Sequence, residues 1–177
     1  MDNSLPVRKN VRLKHYDYSS NGAYFITICV EDMRRLLCHI VGRDDLGAPQ
    51  VNLSKYGAIA QKYIEQIELH YQGVFIDSYV IMPNHIHLLI RVDRNNLPPL
   101  NNGAPRSSRP TMLIPRIMAA FKKFANKEFG FEMWQTSYHE HIIRNENDYL
   151  RHWQYIEGNP AKWADDEYYT DEWECST

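Results

Sequence analysis

The 177-residue sequence has few cysteines and no strong excess of charge of either sign. Its three cysteines, Cys29, Cys38 and Cys175, include no CxxC pair. This argues against a disulfide framework and against a thiolate metal site, and it predicts a reducing cytoplasm. The formal net charge is only −2, so overall charge indicates no class of partner. The remaining composition, 44% apolar and 24% charged residues, is that of a globular protein.

Long apolar runs are also lacking. No stretch approaches the ~20 apolar residues that a membrane span requires, and the opening residues have no apolar region typical of a secretion signal. We therefore expect a cytoplasmic protein without a membrane partner. The length predicts a single domain over residues 1–163, with a basic arm at 1–20 and a flexible loop at 93–110, followed by an acidic tail at 164–177.

Hydrophobic periodicity predicts a mixture of strands and helices. Strands are expected at 23–32, 74–82, 85–92 and 136–144, and helices at 54–72, 111–130 and 145–158. Residues 33–53 are compatible with short strands or a hairpin. Ser54 is the expected N-cap of the first helix, and the strands at 74–82 and 85–92 are expected to form a hairpin with Pro83-Asn84 at its tip. The second helix is expected to carry one apolar face, formed by Leu113, Ile117, Ala120, Phe121 and Phe124. The order predicts an α+β fold with a ferredoxin-like β-α-β-β-α-β core, an antiparallel sheet and an extra C-terminal helix.

Two histidines, His85 and His87, lie in the apolar run YVIMPNHIHLLI at 79–90. Alternate residues of a strand point the same way, so the two imidazoles share a face with their Cβ atoms roughly 6.6 Å apart, while the residues between and after them face a core. The plain alternative is a pair of hydrogen-bonded core histidines. Because burying two unpartnered imidazoles is unfavourable, we favour ligation of a divalent ion, with Mg²⁺, Mn²⁺ and Zn²⁺ all compatible.

A second pair, His139 and His141, has the same spacing in a less apolar predicted strand. We interpret this pair as part of a polar sheet face. A second pair of metal ligands is the alternative.

The last predicted helix carries Tyr155 and Asn159 on one side, four residues apart, with His152 close by. Its apolar side is predicted to consist of Tyr149, Trp153 and Ile156. A helical tyrosine is usually a packing residue, so spacing alone gives little support for a catalytic role. Pro160 disfavours helical geometry at Asn159, so the helix is expected to end near Gly158.

The chain resembles the REP-associated tyrosine transposases, a branch of the HUH (His-hydrophobic-His) single-strand transposases. The resemblance is carried by four blocks in the same order, namely 12–32, 52–64, 79–90 with its His-Ile-His triplet, and 134–163 with Tyr-Ile-x-x-Asn-Pro. The triplet alone is a weak signal, whereas four ordered blocks are a strong one. The loop at 93–110 departs from the family pattern because it is longer and richer in Asn and Pro.

The resemblance implies a mechanism and assigns residues to it. His85 and His87 would hold Mg²⁺ or Mn²⁺, with Asn159 as a third ligand. Tyr155 would attack single-stranded DNA, form a 5′-phosphotyrosine and release a 3′ hydroxyl. The expected targets are hairpin-forming repeats, and the expected process is transposition-type recombination. Both a monomer and a homodimer are compatible with the family. Spacing also suggests His152 as an assisting group.

DNA binding requires positive charge and stacking surfaces. The predicted contacts are Arg8, Lys9, Arg12 and Lys14 in the basic arm, and Arg116, Lys123 and Lys127 along the second helix. For each group the alternative is an ordinary solvated surface. The acidic tail would either repel DNA or pack over the site.

Two other functions remain open at this point. The chain could be a non-catalytic module that binds single-stranded nucleic acid through a ferredoxin-like sheet. It could also be a metal phosphodiesterase that uses activated water, with Tyr155 in a structural role. A covalent protein–DNA adduct is the product that distinguishes the transposase from both.

Overall fold

The computed structural model describes residues 21–42, 49–95 and 113–170. The strands in this part of the chain are β1 (Gly22–Cys29), β2 (Cys38–Val41), β3 (Gln50–Leu53), β4 (Val74–Ile81), β5 (His85–Val92) and β6 (His139–Ile143). The helices are α1 (Lys55–His70), α2 (Leu113–Phe129) and α3 (Glu146–Gly158), with 3₁₀ turns at Glu31–Met33 and Pro160–Asp165. None of these helices is both long and apolar enough to cross a membrane.

The main sheet has four strands in the order β4-β5-β1-β6, and every neighbouring pair is antiparallel. Strands β2 and β3 form a separate two-stranded ribbon between β1 and α1. With this ribbon set aside, the order is the predicted β-α-β-β-α-β core followed by α3. The predicted antiparallel α+β fold is therefore confirmed.

The sheet separates two layers of side chains. One face of β1 and β5 packs with α1 and α2 into the larger core, and its fully buried members include Ile26, Ile86 and Leu88. The opposite face carries Leu89, which packs with Ile156 of α3 in a second cluster. Because side chains alternate along a strand, His85 and His87 of β5 lie on the α3 side.

Helix α1 begins as its sequence predicts. The Ser54 hydroxyl accepts hydrogen bonds from the amides of Tyr56 and Gly57, both at 3.1 Å, which satisfies two of the free N–H groups of the first turn. Gly57 faces the backbone of Leu37, and a Cβ at this position would lie 2.1 Å from the Leu37 carbonyl oxygen. Glycine is therefore needed here for the close approach of two backbones.

The predicted apolar face of α2 was partly wrong. It included Phe124, which is 49% exposed and stacks on Tyr63 of α1, with ring centroids 6.2 Å apart. The buried stripe instead consists of Ile114, Ile117, Met118, Phe121 and Ala125. The helix packs against both α1 and the sheet, so its buried direction is set by two neighbours that a single-helix pattern does not specify.

Strand β6 is shorter than predicted and begins at His139 rather than at residue 136. The preceding segment is instead held by Lys122, whose Nζ donates to the carbonyl oxygens of Gln135 and Ser137, both at 2.7 Å. These carbonyls bond to a side chain, which explains why regular pairing starts later.

Candidate active site

The two histidines of the HIH triplet are buried side by side at the start of β5. His85 and His87 are 0% and 1% exposed, and their ring centroids lie 4.5 Å apart. In the register of the sheet, His85 is opposite Cys29 and His87 is opposite Thr27 of β1. The shared face that alternation predicts is therefore present, in the interior of the protein.

Both rings are oriented by hydrogen bonds at Nδ1. His85 Nδ1 lies 2.9 Å from Asn84 Oδ1, and His87 Nδ1 lies 2.8 Å from the Thr27 hydroxyl. The amide nitrogen of Asn84 donates to the carbonyl oxygens of Met33 and Tyr168, so its oxygen is the atom that accepts from His85. The Nε2 atoms of both histidines are buried and have no hydrogen-bond partner.

Burial keeps both imidazoles neutral. It lowers the pKa of His85 to about 3, and it lowers the pKa of His87 well below its ordinary value, with a further contribution from the neighbouring His85. Neutral imidazole with one protonated Nδ1 presents a lone pair at Nε2, which is the form that binds a metal ion.

Tyr155 projects from α3 toward this pair. Its ring centroid lies 5.1 Å from that of His87 and 5.9 Å from that of Phe25 on β1. Its hydroxyl donates to Oδ2 of Asp166 at 3.1 Å. Burial, followed by the charge of Asp166, raises the pKa of the Tyr155 hydroxyl, so the phenol is protonated at neutral pH.

Asn159 lies one residue beyond α3 and is 2% exposed. Its amide nitrogen donates to the same Asp166 oxygen at 2.9 Å, and its Oδ1 is buried without a partner. The expectation of non-helical geometry at Asn159 was wrong, because the residue adopts right-handed helical angles, φ −61° and ψ −44°. Pro160 is the first residue of a 3₁₀ turn, a position that proline tolerates, so the chain keeps turning.

The segment after Asn159 packs over the histidines. The Tyr168 ring centroid lies 4.7 Å from that of His85 and 5.9 Å from that of His87. Trp163 packs with Ile156 and approaches the His85 ring at 6.0 Å. Of the two expectations for the acidic tail, packing over the site describes residues 164–170, whereas 171–177 lie outside the described part of the chain.

Of these groups, His87, Tyr155, Asn159, Asp166 and Tyr168 line a cavity of about 620 Å³ between β1, β6, α3 and the segment that follows it, whereas His85 does not. Its wall includes Tyr155, Asn159 and His87 together with the cationic side chains of Arg151 and Lys162. The cavity is large enough for part of an extended ligand, and it contains groups that can hold a cation beside groups that attract an anion.

The second histidine pair is on the polar side of β6. His141 Nε2 lies 2.8 Å from Asp148 Oδ2, and the His141 ring stacks on His152 with centroids 4.7 Å apart. His152 Nδ1 donates to the Asp148 carbonyl oxygen at 2.8 Å. His152 is one turn from Tyr155, but its ring packs on Phe25 at 4.5 Å.

The predicted DNA contacts are not brought to this cavity. Arg116, Lys123 and Lys127 are exposed on α2, which packs on the opposite face of the sheet. The contacts predicted in the basic arm, Arg8, Lys9, Arg12 and Lys14, lie outside the described residues, as does most of the 93–110 loop.

Sequence reasoning missed Asp166. It occurs in the acidic run Asp165-Asp166-Glu167, and nothing in the pattern distinguishes the middle residue from its neighbours. The 3₁₀ turn at Pro160–Asp165 reverses the chain and places the Asp166 carboxylate within hydrogen-bonding distance of Tyr155 and Asn159.

No protein-family model matches the chain. A relative from Haemophilus influenzae, described as an uncharacterized protein, is 35% identical over 175 residues, covering 93% of this chain and 94% of the relative. A second protein of that organism, named "Putative REP-associated tyrosine transposase", is 27% identical over 150 residues, covering 82% of this chain and 74% of that protein. A solved structure of a REP-associated tyrosine transposase bound to a REP hairpin has a TM-score of 0.55 at 22% identity, covering 85% of this chain and 73% of that one, a likeness of fold.

Proposed function

The chain belongs to the REP-associated tyrosine transposase family, and from that premise we propose that it cuts and rejoins single-stranded DNA through a covalent bond between Tyr155 and a 5′ phosphate. The observation that carries the proposal is the position of Tyr155, whose ring lies 5.1 Å from a buried, neutral His87 on the wall of a shared cavity. Nearby, the Nε2 atoms of His85 and His87 are buried without a hydrogen-bond partner. Packing of a structural tyrosine does not account for these two free nitrogens, whereas binding of a cation beside a nucleophile does.

The donor set fits a divalent cation. Both His Nε2 atoms and Asn159 Oδ1 are buried without partners, and leaving such an atom unsatisfied costs about 1–3 kcal/mol. Two imidazole nitrogens with oxygen ligands are compatible with Mg²⁺, Mn²⁺ or Zn²⁺, and the family resemblance favours Mg²⁺ or Mn²⁺. When bound, such an ion polarises the scissile phosphate and offsets the charge that develops on its oxygens.

In the proposed step, the Tyr155 oxygen attacks the phosphorus and the bond to the 3′ oxygen breaks. The phenolic proton passes to water as the new bond forms, and the departing 3′ oxygen takes up a proton from water to become a hydroxyl, so the step is balanced. Attack by another strand's 3′ hydroxyl on the phosphotyrosine reverses the step and joins two strands. Asp166 already accepts the hydrogen bond from the Tyr155 hydroxyl, which orients the nucleophile toward the cavity.

We propose a DNA hairpin with single-stranded flanks as the partner. The solved relative is bound to a REP hairpin, and this chain offers Arg151 and Lys162 on the cavity wall for phosphate contacts. Arg116, Lys123 and Lys127 on α2, together with the cations of the basic arm, remain candidates for contacts with the hairpin away from the cavity.

The test is a denaturing gel of the protein incubated with 5′- or 3′-labelled single-stranded DNA hairpins and Mg²⁺ or Mn²⁺. We expect a slowly migrating adduct that carries the 3′-side fragment and disappears with a chelator. Tyr155→Phe removes only the nucleophilic oxygen and should abolish the adduct. Tyr149→Phe is the matched control on the same helix, because the Tyr149 hydroxyl donates to Asp77 instead.

Cleavage without an adduct in the wild-type protein would contradict the phosphotyrosine mechanism and favour hydrolysis by activated water. Binding without cleavage, across hairpins that include repeats flanking the gene, would favour the non-catalytic module. An adduct that persists in Tyr155→Phe would assign the nucleophile to another residue.

A further inference from the structure

We propose that Asp166 is a fourth ligand of the divalent cation, alongside His85, His87 and Asn159. The inference deepens the proposed function, on whose metal centre it rests. It adds a residue that the family resemblance does not supply and that follows the nucleophilic helix by a 3₁₀ turn.

The first argument is distance. One donor atom each from His85, His87 and Asp166 form a group in which all separations are within 4.8 Å. Neighbouring ligand atoms that each lie about 2.1 Å from one ion, at right angles, are roughly 3.0 Å apart. The separations, none above 4.8 Å, therefore need to close by up to about 1.8 Å when the ion binds.

The second argument is orientation of the neighbouring amide. Asp166 Oδ2 accepts a hydrogen bond from the Asn159 amide nitrogen, and this leaves Asn159 Oδ1 as the free, buried atom. Asp166 thus selects the amide orientation in which Asn159 can act as an oxygen ligand. The other carboxylate oxygen, Oδ1, accepts from the backbone amide of Tyr168 at 2.8 Å, which holds the carboxylate in place.

The third argument is charge. The imidazoles of His85 and His87 are neutral and the Asn159 amide carries no charge, so these three ligands leave both positive charges of a dication uncompensated in a buried site. A buried charge is stable only when it is paired. Among the described residues, Asp166 is the acidic side chain whose oxygen joins the histidine donors.

A second group of the same composition provides a useful contrast. His141, Asp148 and His152 also bring their donor atoms within 4.8 Å. In this group, however, His141 bonds to the Asp148 carboxylate and His152 Nδ1 bonds to the Asp148 carbonyl oxygen. No atom of these three residues is buried without a partner, so nothing in this cluster requires a cation.

The test is calorimetric titration of the intact chain with Mn²⁺ in the absence of DNA. Asp166→Asn keeps the size of the side chain and an oxygen that can accept from Tyr155, while it removes the charge and the second acceptor, which the Tyr168 amide uses. We expect this variant to bind Mn²⁺ about 10- to 100-fold more weakly than wild type. Asp165→Asn changes the adjacent, exposed carboxylate and should bind Mn²⁺ as wild type does.

A second measurement covers the case in which Asp166→Asn perturbs folding. The Co²⁺-loaded wild-type protein and Asp166→Glu should both show visible d–d absorption bands, with band positions that shift between them because the carboxylate moves by one methylene. Identical Mn²⁺ affinity in wild type and Asp166→Asn, identical Co²⁺ spectra, or no Mn²⁺ binding by the wild-type protein would each overturn the proposal.

These outcomes are separable from those of the DNA assay. Mn²⁺ affinity that depends on Asp166, in a protein that forms no DNA adduct, would support the ligand and reject the transposase chemistry. A metal-dependent adduct with unchanged Mn²⁺ affinity in Asp166→Asn would support the transposase chemistry and reject Asp166 as a ligand. A residue that only positioned Tyr155 would slow adduct formation at saturating Mn²⁺ while leaving the Mn²⁺ dissociation constant unchanged.

Discussion

The Thr27 hydroxyl lies 2.8 Å from Nδ1 of His87, between residues that are directly opposite each other in paired strands. A hydroxyl can donate or accept, but only when it accepts from Nδ1–H does His87 keep a lone pair at Nε2. Thr27 is 3% exposed, so water does not compete for this bond. The sheet register therefore pairs Nδ1 of His87 with Thr27 and leaves Nε2 as the nitrogen without a hydrogen-bond partner.

Thr27→Val should weaken Mn²⁺ binding. Valine has nearly the same shape as threonine but leaves Nδ1 of His87 without an acceptor, so the imidazole loses its orientation. Loss of a hydrogen bond that supports a ligand typically lowers metal affinity about 10- to 100-fold. Calorimetric titration measures the change, and Thr27→Ser, which retains the hydroxyl, should bind within about threefold of wild type. Equal affinities in the valine and serine variants would contradict this role.

Acid should destabilise the protein through His85 and His87. Their pKa values in the folded state lie below 6.5, so the unfolded chain takes up protons first as the pH falls. This contribution to stability is complete above about pH 6.5 and is lost progressively toward the folded pKa, which is about 3 for His85. Each histidine should lower the free energy of unfolding by up to about 2 kcal/mol between pH 6.5 and 5.

Urea unfolding at several pH values measures this dependence. His85→Asn and His87→Asn should each flatten it, whereas a substitution of the exposed His70 should leave it unchanged. A stability that is constant between pH 7 and 5 would show that the imidazoles are not held neutral.

Gly57→Ala should destabilise the fold strongly. The new Cβ would lie 2.1 Å from the Leu37 carbonyl oxygen, which also accepts the Ser54 amide at 2.9 Å and cannot move freely. We expect a loss of at least about 2 kcal/mol in the free energy of unfolding. Gly158→Ala is the control, since nothing lies within 4 Å of its added Cβ. Thermal melts that rank the two variants equally would contradict the close approach.

His152 should act by packing rather than by chemistry. Its Nδ1 is engaged with the Asp148 carbonyl, and its ring supports Phe25, which in turn lies against His87 and Tyr155. We expect His152→Ala to slow adduct formation by less than about tenfold, the effect of roughly 1 kcal/mol. His152→Phe should restore most of the rate. If His152→Phe were as inactive as Tyr155→Phe, the imidazole would have a chemical role.

The sequence predicted most of the fold because its elements have strong periodicity and clear boundaries. The α1 cap at Ser54, the β4–β5 hairpin and the end of α3 at Gly158 were all predicted and are confirmed. The exposure of Phe124 on α2 was not predicted, because burial on that side of the helix depends on contacts with α1 as well as with the sheet.

The candidate site was predicted less completely. Alternation along β5 placed His85 and His87 on one face, and this is confirmed. Their roles as ligands and that of Tyr155 as nucleophile remain predictions. Asp166 could not be singled out, because its position depends on the helical geometry at Asn159 and on a 3₁₀ turn that the Asn-Pro pair argued against.

The alternation of β5 has a consequence for how the HIH triplet can vary. Ile86 lies between the histidines, is 0% exposed and belongs to the core on the opposite side of the sheet. The middle position of the triplet therefore packs among the side chains of the larger core, whereas the histidines on either side of it lie on the α3 side of the sheet. Inserting or deleting one residue before it would exchange the two faces, exposing apolar side chains to the cavity and burying imidazoles among the helices. The spacing of the motif and the packing of the core therefore depend on the same alternation of side chains along β5.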